Sequence, residues 1–476
     1  FLVYSCLDLL EIRNMTNKLT LLLGLTFWSF HAVCQTKLDD LYFRSSLQTI
    51  LIESESFPQK DAVIKSWNGY PFPDKYDKHG IDYPTINLSK FDLSDAELKE
   101  MGYLKDTISG FGIMKARAKN KNLRYLAADS SIAFELPDER EEVDMRIKKA
   151  MKTDFFPNLL LQRWHDFDAQ TKTMSFDVFK KRANYNAKNS DIRQSEIAVN
   201  KLNAIMNPAL IDQLISNTFV TFTKLNFIEN EPYAKIIRDA AILAIDMSNQ
   251  QDLVKELGKK AAELAYQKTK DGYTLTSKTW LYKIVWNDST KAYFNDKLLI
   301  NDAQFGALIK GEKAVLTPSQ ISFMSGDPVF QMEFVNDQVN KSIFLFAEGK
   351  TMEQIIDKVL VRNIDNAFAK LQKENDVFKP LVKILSKEPL TAEIGMKEGL
   401  EGGEKFEVLE LQEEAGTGNI LFKRVSTVKV VKGKIWDNRY NAGEKPKNED
   451  GTDLVQNAYT EFKGDAKNGT FLRLIK

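Results

Sequence analysis

The sequence predicts an α+β protein in which mixed helical and sheet regions are followed by a small C-terminal β-barrel. Three observations predict it. Met352, Ile355, Ile356, Val359, Leu360, Ile364, Phe368 and Leu371 keep helical spacing through one long segment, the mark of a helix with one core face. Trp280, Tyr282, Ile284 and Trp286 alternate as a strand with a buried face does. Beyond Pro389 the chain turns to short β-type segments, and Gly402-Gly403 and Gly416-Thr417-Gly418-Asn419 supply the φ > 0 positions that tight hairpins need.

The elements follow in chain order. Leu19 to Phe30 is an apolar run after Lys18, followed by His31-Ala32-Val33-Cys34-Gln35. It falls short of the about 20 residues that span a bilayer, and its basic start and small-residue exit describe a cleaved export signal over 15–34. Met15 is the expected initiator, which leaves Phe1 to Asn14 as upstream sequence. Cleavage after Cys34 is favoured over lipid attachment to Cys34, because His31 and Val33 fit a lipid-attachment box poorly. An N-terminal, mainly helical region is expected over 35–215. It holds a strand or helix at Leu47 to Glu53, a helix at Asp61 to Trp67, and an extended loop at Gly69 to Asp74 fixed by Pro71 and Pro73. Ser94 with Glu97 forms a capping box. Gly110-Phe111-Gly112 lacks the third glycine of a nucleotide-binding turn and precedes a strand at Ser130 to Leu136. From Arg140 to about Gln213 the reading is helical, with Ile147, Met151, Leu159, Leu160 and Trp164 on the apolar side, and Asn207-Pro208 punctuates it.

A central α+β domain is expected over 216–387. Thr218 to Ile228 is a strand with a β-bulge near Thr223, since Val220 and Phe222 share a face from which Leu225 and Phe227 have slipped. Pro232 to Thr269 is helical with a break near Asn249, and the strand Tyr273 to Trp286 follows. A helix over Lys291 to Ile309 leads to two strands, Val329 to Val335 and Ser342 to Ala347, around a turn at Asn336-Asp337. Thr351 with Gln354 caps the long helix. The small barrel is expected over 388–476, from Thr391 to Gly395, Lys405 to Gln412, Ile420 to Val431 and Thr470 to Ile475, with a polar insertion at Lys445 to Gly451.

Composition excludes several chemistries. The cysteines are Cys6 and Cys34, so a chain starting at Gln35 has no thiol for disulfides, zinc-thiolate sites, iron–sulfur clusters or a cysteine nucleophile. His31 leaves with the signal, and His79 and His165 lack HExxH or HxxxH partners. With 66 basic and 66 acidic residues the chain has no net field for nucleic acid or an anionic membrane. The densest acidic patch, Asp138 to Glu142, is followed at once by Arg146, Lys148 and Lys149 and reads as a solvated helix face. No GxSxG elbow, P-loop or dinucleotide fingerprint is present.

Two clusters invite a metal reading. Asp166, Asp168, Gln170 and Asp177 fall at the first, third, fifth and twelfth positions of an EF-hand-like loop, but Thr171 stands where glycine is required. Asp74, Asp77 and His79 lie together in the proline-rich loop without a fourth ligand. Neither pattern is complete, so no metal ligand, cofactor-binding or catalytic residue is assigned and no cofactor is expected.

The run IGMKEGLEGGEKFEVLELQEEAGTGNILFKRVSTVKVVKGKIWDNR, with Gly399, Leu400, Gly403, Phe406 and Val408 in a GL-x-x-G-x-x-F-x-V turn and strand, resembles the small β domain of bacterial flagellar and envelope assembly proteins. The whole chain, through YPFPDKYDKHG, the NTFV strand and KGKIWDNRY, resembles uncharacterised exported proteins of Bacteroidota-type bacteria. The first resemblance implies a barrel module, and the second an envelope location. The leading expectation is therefore a periplasmic or outer-membrane-associated protein with a structural or interaction role. Its barrel would be the docking module and other envelope proteins its partners; Trp67, Tyr70, Phe72 and Tyr76 are either a place to meet them or, the favoured reading, a cap on the core. The alternative is a carboxylate-dependent hydrolase acting on glycans, which needs two carboxylates facing one cleft. A pore former would need a long alternating amphipathic segment, and none stands out.

Overall fold

A computed structural model describes residues 45–73, 75–100, 123–125, 133–135, 139–188, 208–326, 330–343, 350–413, 420–439, 458–467 and 470–475. The leader and Cys34, Asp74, the Gly110 to Gly112 turn, the Gly416 to Asn419 turn and the Lys445 to Gly451 insertion lie outside these residues. The fold is α+β, with a mixed sheet and a closed C-terminal β-barrel.

In chain order the first part runs β1 (Ser46–Ile52), α1 (Lys60–Gly69), β2 (Asp77–Lys78), β3 (Thr85–Ile86), α2 (Asp95–Glu100), β4 (Leu123–Tyr125), β5 (Ala133–Glu135), α3 (Glu139–Thr153), α4 (Phe156–Trp164), β6 (Thr173–Met174), α5 (Asp177–Lys188) and α6 (Pro208–Ser216). It continues through β7 (Thr218–Glu229), α7 (Glu231–Asp246), α8 (Asp252–Thr269), β8 (Tyr273–Ile284), α9 (Asp288–Leu298), α10 (Asp302–Lys310), β9 (Ala314–Val315), α11 (Pro318–Ser325), β10 (Met332–Ile343) and α12 (Met352–Glu374). The barrel comprises β11 (Val382–Lys387), β12 (Leu390–Ala392), β13 (Lys405–Glu413), β14 (Ile420–Val430), β15 (Thr460–Lys463) and β16 (Phe471–Leu474).

The main sheet has the order β10-β8-β7-β1-β2, with β3 also beside β1. β1 runs parallel to β7, while β7, β8 and β10 are antiparallel. Strands from both sides of residue 216 thus share one sheet, which joins the regions 35–215 and 216–387. The sheet is covered on both faces. Leu47, Leu51, Phe219, Leu225, Leu275 and Leu281 pack against α1 and the stripe of α12. Ile50, Val220, Phe222, Trp280 and Tyr282 pack against Ile147 and Met151 of α3 and Phe156 and Leu160 of α4. Each fully buried side chain of this size contributes roughly 1.5–3 kcal/mol.

Double coverage corrects two expectations. β7 pairs with β8 without a register shift from Phe219 to Glu229, so there is no bulge near Thr223. Val220 and Phe222 face one apolar layer while Leu225 and Phe227 face the other, and regular alternation between two cores looks in sequence like a slip. The turn expected at Asn336-Asp337 is also absent. β10 runs straight through it, and the irregularity there is a bulge between Phe334 and Asn336. The helix expected over Lys291 to Ile309 is two helices, because Asn301 with Gln304 forms a second capping box behind that of Asn287 with Thr290. The predicted boxes at Ser94 and Thr351 are formed.

The chain divides into two compact units. One is Phe43–Leu409 with Arg424–Lys476; the arm Glu410–Lys423 belongs to the other. The barrel closes in the order β11-β12-β15-β14-β13-β16 around Ile384, Leu390, Phe406, Val408, Val430, Phe462 and Leu472. Its first strand begins at Val382, ahead of Pro389, and β15 was not foreseen because a four-residue strand carries too little alternation to read.

Candidate functional site

The expected site residues are placed first. Trp67, Tyr70 and Tyr76 are buried and Phe72 partly so. Tyr76 stacks on Phe368 and meets Phe378 edge-on, with ring centroids 5.5 and 5.4 Å apart. These aromatics complete the core beneath α12, as the core-capping reading of them expects.

His79 is also internal. Its Nε2–H donates to the Leu160 carbonyl (3.0 Å), and its Nδ1 accepts the Ser46 hydroxyl (2.8 Å), whose oxygen accepts from Arg182. Burial and then the Arg182 charge hold its pKa well below the ordinary histidine value. His165 is enclosed by Phe176, Phe179 and Phe294, with its Nδ1–H on the Leu161 carbonyl (2.8 Å), and burial lowers its pKa to about 4. Both imidazoles are satisfied core groups.

The carboxylates of the EF-hand-like stretch do not converge on one point. Asp168 Oδ1 accepts the N–H groups of Gln170 (2.8 Å) and Thr171 (3.1 Å), and Asp168 bridges to Thr173, closing a tight reversal. Asp166 accepts from the Ser175 hydroxyl (3.2 Å), and Asp177 begins α5. Among the described residues, no group of three or more His, Cys, Asp or Glu is placed to hold a metal ion. The buried carboxylates among the described residues are Asp365 and Glu398. Glu398 accepts the Gly395 N–H and the Asn438 amide, both at 2.8 Å, and Asp365 lies 3.9 Å from Lys397 Nζ. The Glu398 contacts hold the turn after β12, and of these contacts the Lys397–Asp365 approach is the one that reaches α12. Beside them a cleft of about 780 Å³ is lined by Lys341, Lys370, Lys373, Glu374, Glu401 and Arg439, with Lys373 3.8 Å from Glu401.

The feature that core packing leaves over is the pair α7 and α8, inserted between β7 and β8. Pro232 sets the first turn of α7. The base is closed by Asn230, whose N–H donates to the Gly272 carbonyl (3.1 Å) and whose Oδ1 accepts from Thr274 (3.0 Å). Gly272 holds φ +109°, a conformation that favours glycine. The two helices meet where Ile245 lies against Gly258; a Cβ there would stand 3.1 Å from Ile245 Cδ1. Polar contacts complete the seam. Arg238 reaches Glu263 at 3.4 Å and stacks 4.5 Å over Tyr266, whose hydroxyl donates to Glu231 (3.2 Å), and Lys255 donates to the Asp246 carbonyl (3.0 Å).

The opposite side of the hairpin is apolar and open. Tyr233, Ile236, Ile237, Leu243 and Met247 on α7 and Leu253, Val254, Leu257 and Leu264 on α8 recur at three- and four-residue spacing and are exposed, with Ile237, Met247 and Leu253 at 69, 77 and 68%. Ala234 is the one buried residue of α7, and α8 has none. Tyr233 and Ile237 of the α7 arc, together with Ala265 of α8, line a cleft of about 580 Å³ with Ile228, Thr274 and Thr276 of the sheet. Helices of 16 and 18 residues are about 24–27 Å long, so together the two arcs expose about 500 Å² of surface. An exposed apolar patch of this order is among the largest a monomer carries and is often functional. On the barrel, by contrast, the exposed large apolar side chains among the described residues are Leu385 and Val425.

Compared with known proteins, the chain matches no family model and no curated sequence. Among the described residues, no helix is long and apolar enough to cross a membrane.

Proposed function

We propose that this chain is an exported cell-envelope protein with a structural or interaction role, and that it engages its partners through the α7–α8 hairpin. The observation that carries the reading is the open apolar face of that hairpin. Leaving a leucine or isoleucine in water forfeits roughly 1.5–3 kcal/mol, and a hairpin that exposes a row of them recovers this on docking. Export is supported by the signal-like segment over 15–34 and by a chain free of cysteine beyond it. The barrel, whose Lys397 lies against Asp365 of α12, then acts as a support for the sheet that carries the hairpin.

The test places a photocrosslinking amino acid at Leu243 or Leu257, and as a control at Lys235, in the native host. Adducts in the envelope fraction from the first two positions and not from the third are expected. A protein found in the cytosol with Met15 retained, or an apolar face that yields no adducts, overturns the reading.

A further inference from the structure

We infer that the cleft between α12, the edge strand β10 and the turn after β12 is a binding site for a small hydroxylated carboxylate, the chemistry of a sugar acid. The inference goes beyond the interaction role and is carried by residues outside the hairpin.

Buried polarity is the first argument. The sheet face beneath α12 is apolar at Leu47, Leu51, Phe219, Leu275 and Leu281, yet a row of polar residues crosses its middle. Asn340 of β10 stands opposite Ser277 of β8, and Gln338 opposite Thr279, which in turn stands opposite Thr223 of β7. All of these are more than nine-tenths buried. Thr223 and Thr279 bond each other at 3.0 Å, and Gln338 Nε2 donates to the Ala367 carbonyl (2.9 Å). Asn340 differs, since neither its amide nitrogen nor its oxygen has a hydrogen-bond partner among the described residues. A buried amide left so carries its desolvation uncompensated, and a leucine there would avoid the cost. The missing partner is what a ligand supplies.

Position is the second. Asn340 lines the cleft of about 780 Å³, together with Asn366, Ala369 and Lys370 of α12 and Met396 and Leu400 of the turn after β12. That volume lies in the range of small-molecule sites, about 300–1,000 Å³. Lys370 Nζ donates to the Val339 carbonyl, which sets a cation beside Asn340.

Charge is the third, and it narrows the class. Lys373 lies 3.8 Å from Glu401, and Arg439 holds Asp437 through two hydrogen bonds of 2.8 and 2.6 Å. Lys341, Lys370 and Glu374 also line the cleft, and these two cations against one carboxylate leave a single positive charge in excess. A carboxylate matches it better than a dianionic phosphate does. The Asn340 amide, with donor and acceptor both open, matches a hydroxyl, which gives one hydrogen bond and takes another. Ala369, Met396 and Leu400 offer an apolar wall to the C–H edge of a sugar ring.

The test is isothermal titration calorimetry of the full chain with glucuronate, with glucose and acetate as its two halves and glycerophosphate as a hydroxylated dianion. Glucuronate is expected to bind, and each half at least about tenfold more weakly. Asn340→Leu is expected to weaken glucuronate about tenfold while the urea midpoint stays or rises, because the variant removes an unpartnered group. A lowered midpoint assigns Asn340 to the fold and overturns the inference. Lys370→Gln, at an exposed position, is expected to weaken glucuronate about threefold at the parent's midpoint, and it decides the matter if Asn340→Leu does not fold. No heat with millimolar glucuronate overturns the inference, as does either half binding as tightly as the whole. So do tighter binding of glycerophosphate and a glucuronate affinity indifferent to Lys370→Gln.

Discussion

Acid should weaken this fold well before its carboxylates protonate. His79 and His165 are buried and neutral, and both are held below the ordinary histidine range of about 6.5. Below that pH the unfolded chain binds a proton at each imidazole and the folded chain does not, so stability falls as pH falls. For His165 the loss begins near pH 6.5 and continues to about 4, an interval worth roughly 3 kcal/mol at about 1.4 kcal/mol per pH unit. His79 contributes in the same direction over the same descent. The steepest slope expected is about 2.7 kcal/mol per pH unit, the value for two protons. Glu97, lowered to about 2 mainly by Lys149, loses its partner's help only below its usual value of 4.5, so it leaves the histidine window clear. Urea unfolding followed by tryptophan fluorescence at several values between about pH 7 and about pH 4.5 measures the slope. His165→Gln should remove about half of it while keeping a donor for the Leu161 carbonyl. A flat profile between about pH 6.5 and about pH 5, or one that rises toward acid, refutes the reasoning.

Three further outcomes follow from the packing. Tyr76→Ala should cost about 3–5 kcal/mol in urea unfolding, because the ring lies between Phe368 and Phe378; a change within about 0.5 kcal/mol would return this aromatic to the surface. Asp168→Ala should cost about 1–2 kcal/mol through the two N–H groups it leaves, and calcium should not move the Tm of the parent; a calcium-dependent rise would restore the ion-binding reading. Gly399→Ala should lower the urea midpoint by about 1–2 kcal/mol equivalent, since Gly399 has φ +79° and an added Cβ would stand 3.0 Å from Ala369 Cβ and Lys373 Cε, and a neutral result would mean the barrel edge can shift.

Where one physical demand governed a segment, the sequence was a faithful guide. The stripe from Met352 to Leu371 needed one core and found it on the sheet, and the boxes at Ser94 and Thr351 needed only their own backbone. The readings failed where two demands overlapped. Strand β7 serves two cores, so its alternation is masked, and β10 carries polar Asn336 and Asp337 inside a strand because its bulge and its edge position tolerate them. His79 follows the same logic. Proximity in sequence to Asp77 suggested a ligand cluster, whereas β1 and α4, distant in sequence, supply both of its hydrogen-bond partners.

The hairpin was legible in outline, as a helical stretch from Pro232 to Thr269 broken near Asn249, but not as a site. Its signal is a conflict between what the residues require and what the chain supplies. On α7, Ala234, Ala241 and Ile245 form one arc on the side of α8, and Tyr233, Ile236, Ile237, Leu243 and Met247 form a second. A helix apolar on two sides belongs in an interior, yet here the second arc of each helix meets water. An ordinary surface helix would place Lys or Glu at those positions, as α3 does with Glu139, Glu141 and Glu142 in its first turn. The sheet offers the excess no place, because both of its faces are already covered by other elements. Among the described residues that second arc meets water, and this is the observation on which the proposed interaction role of the hairpin rests.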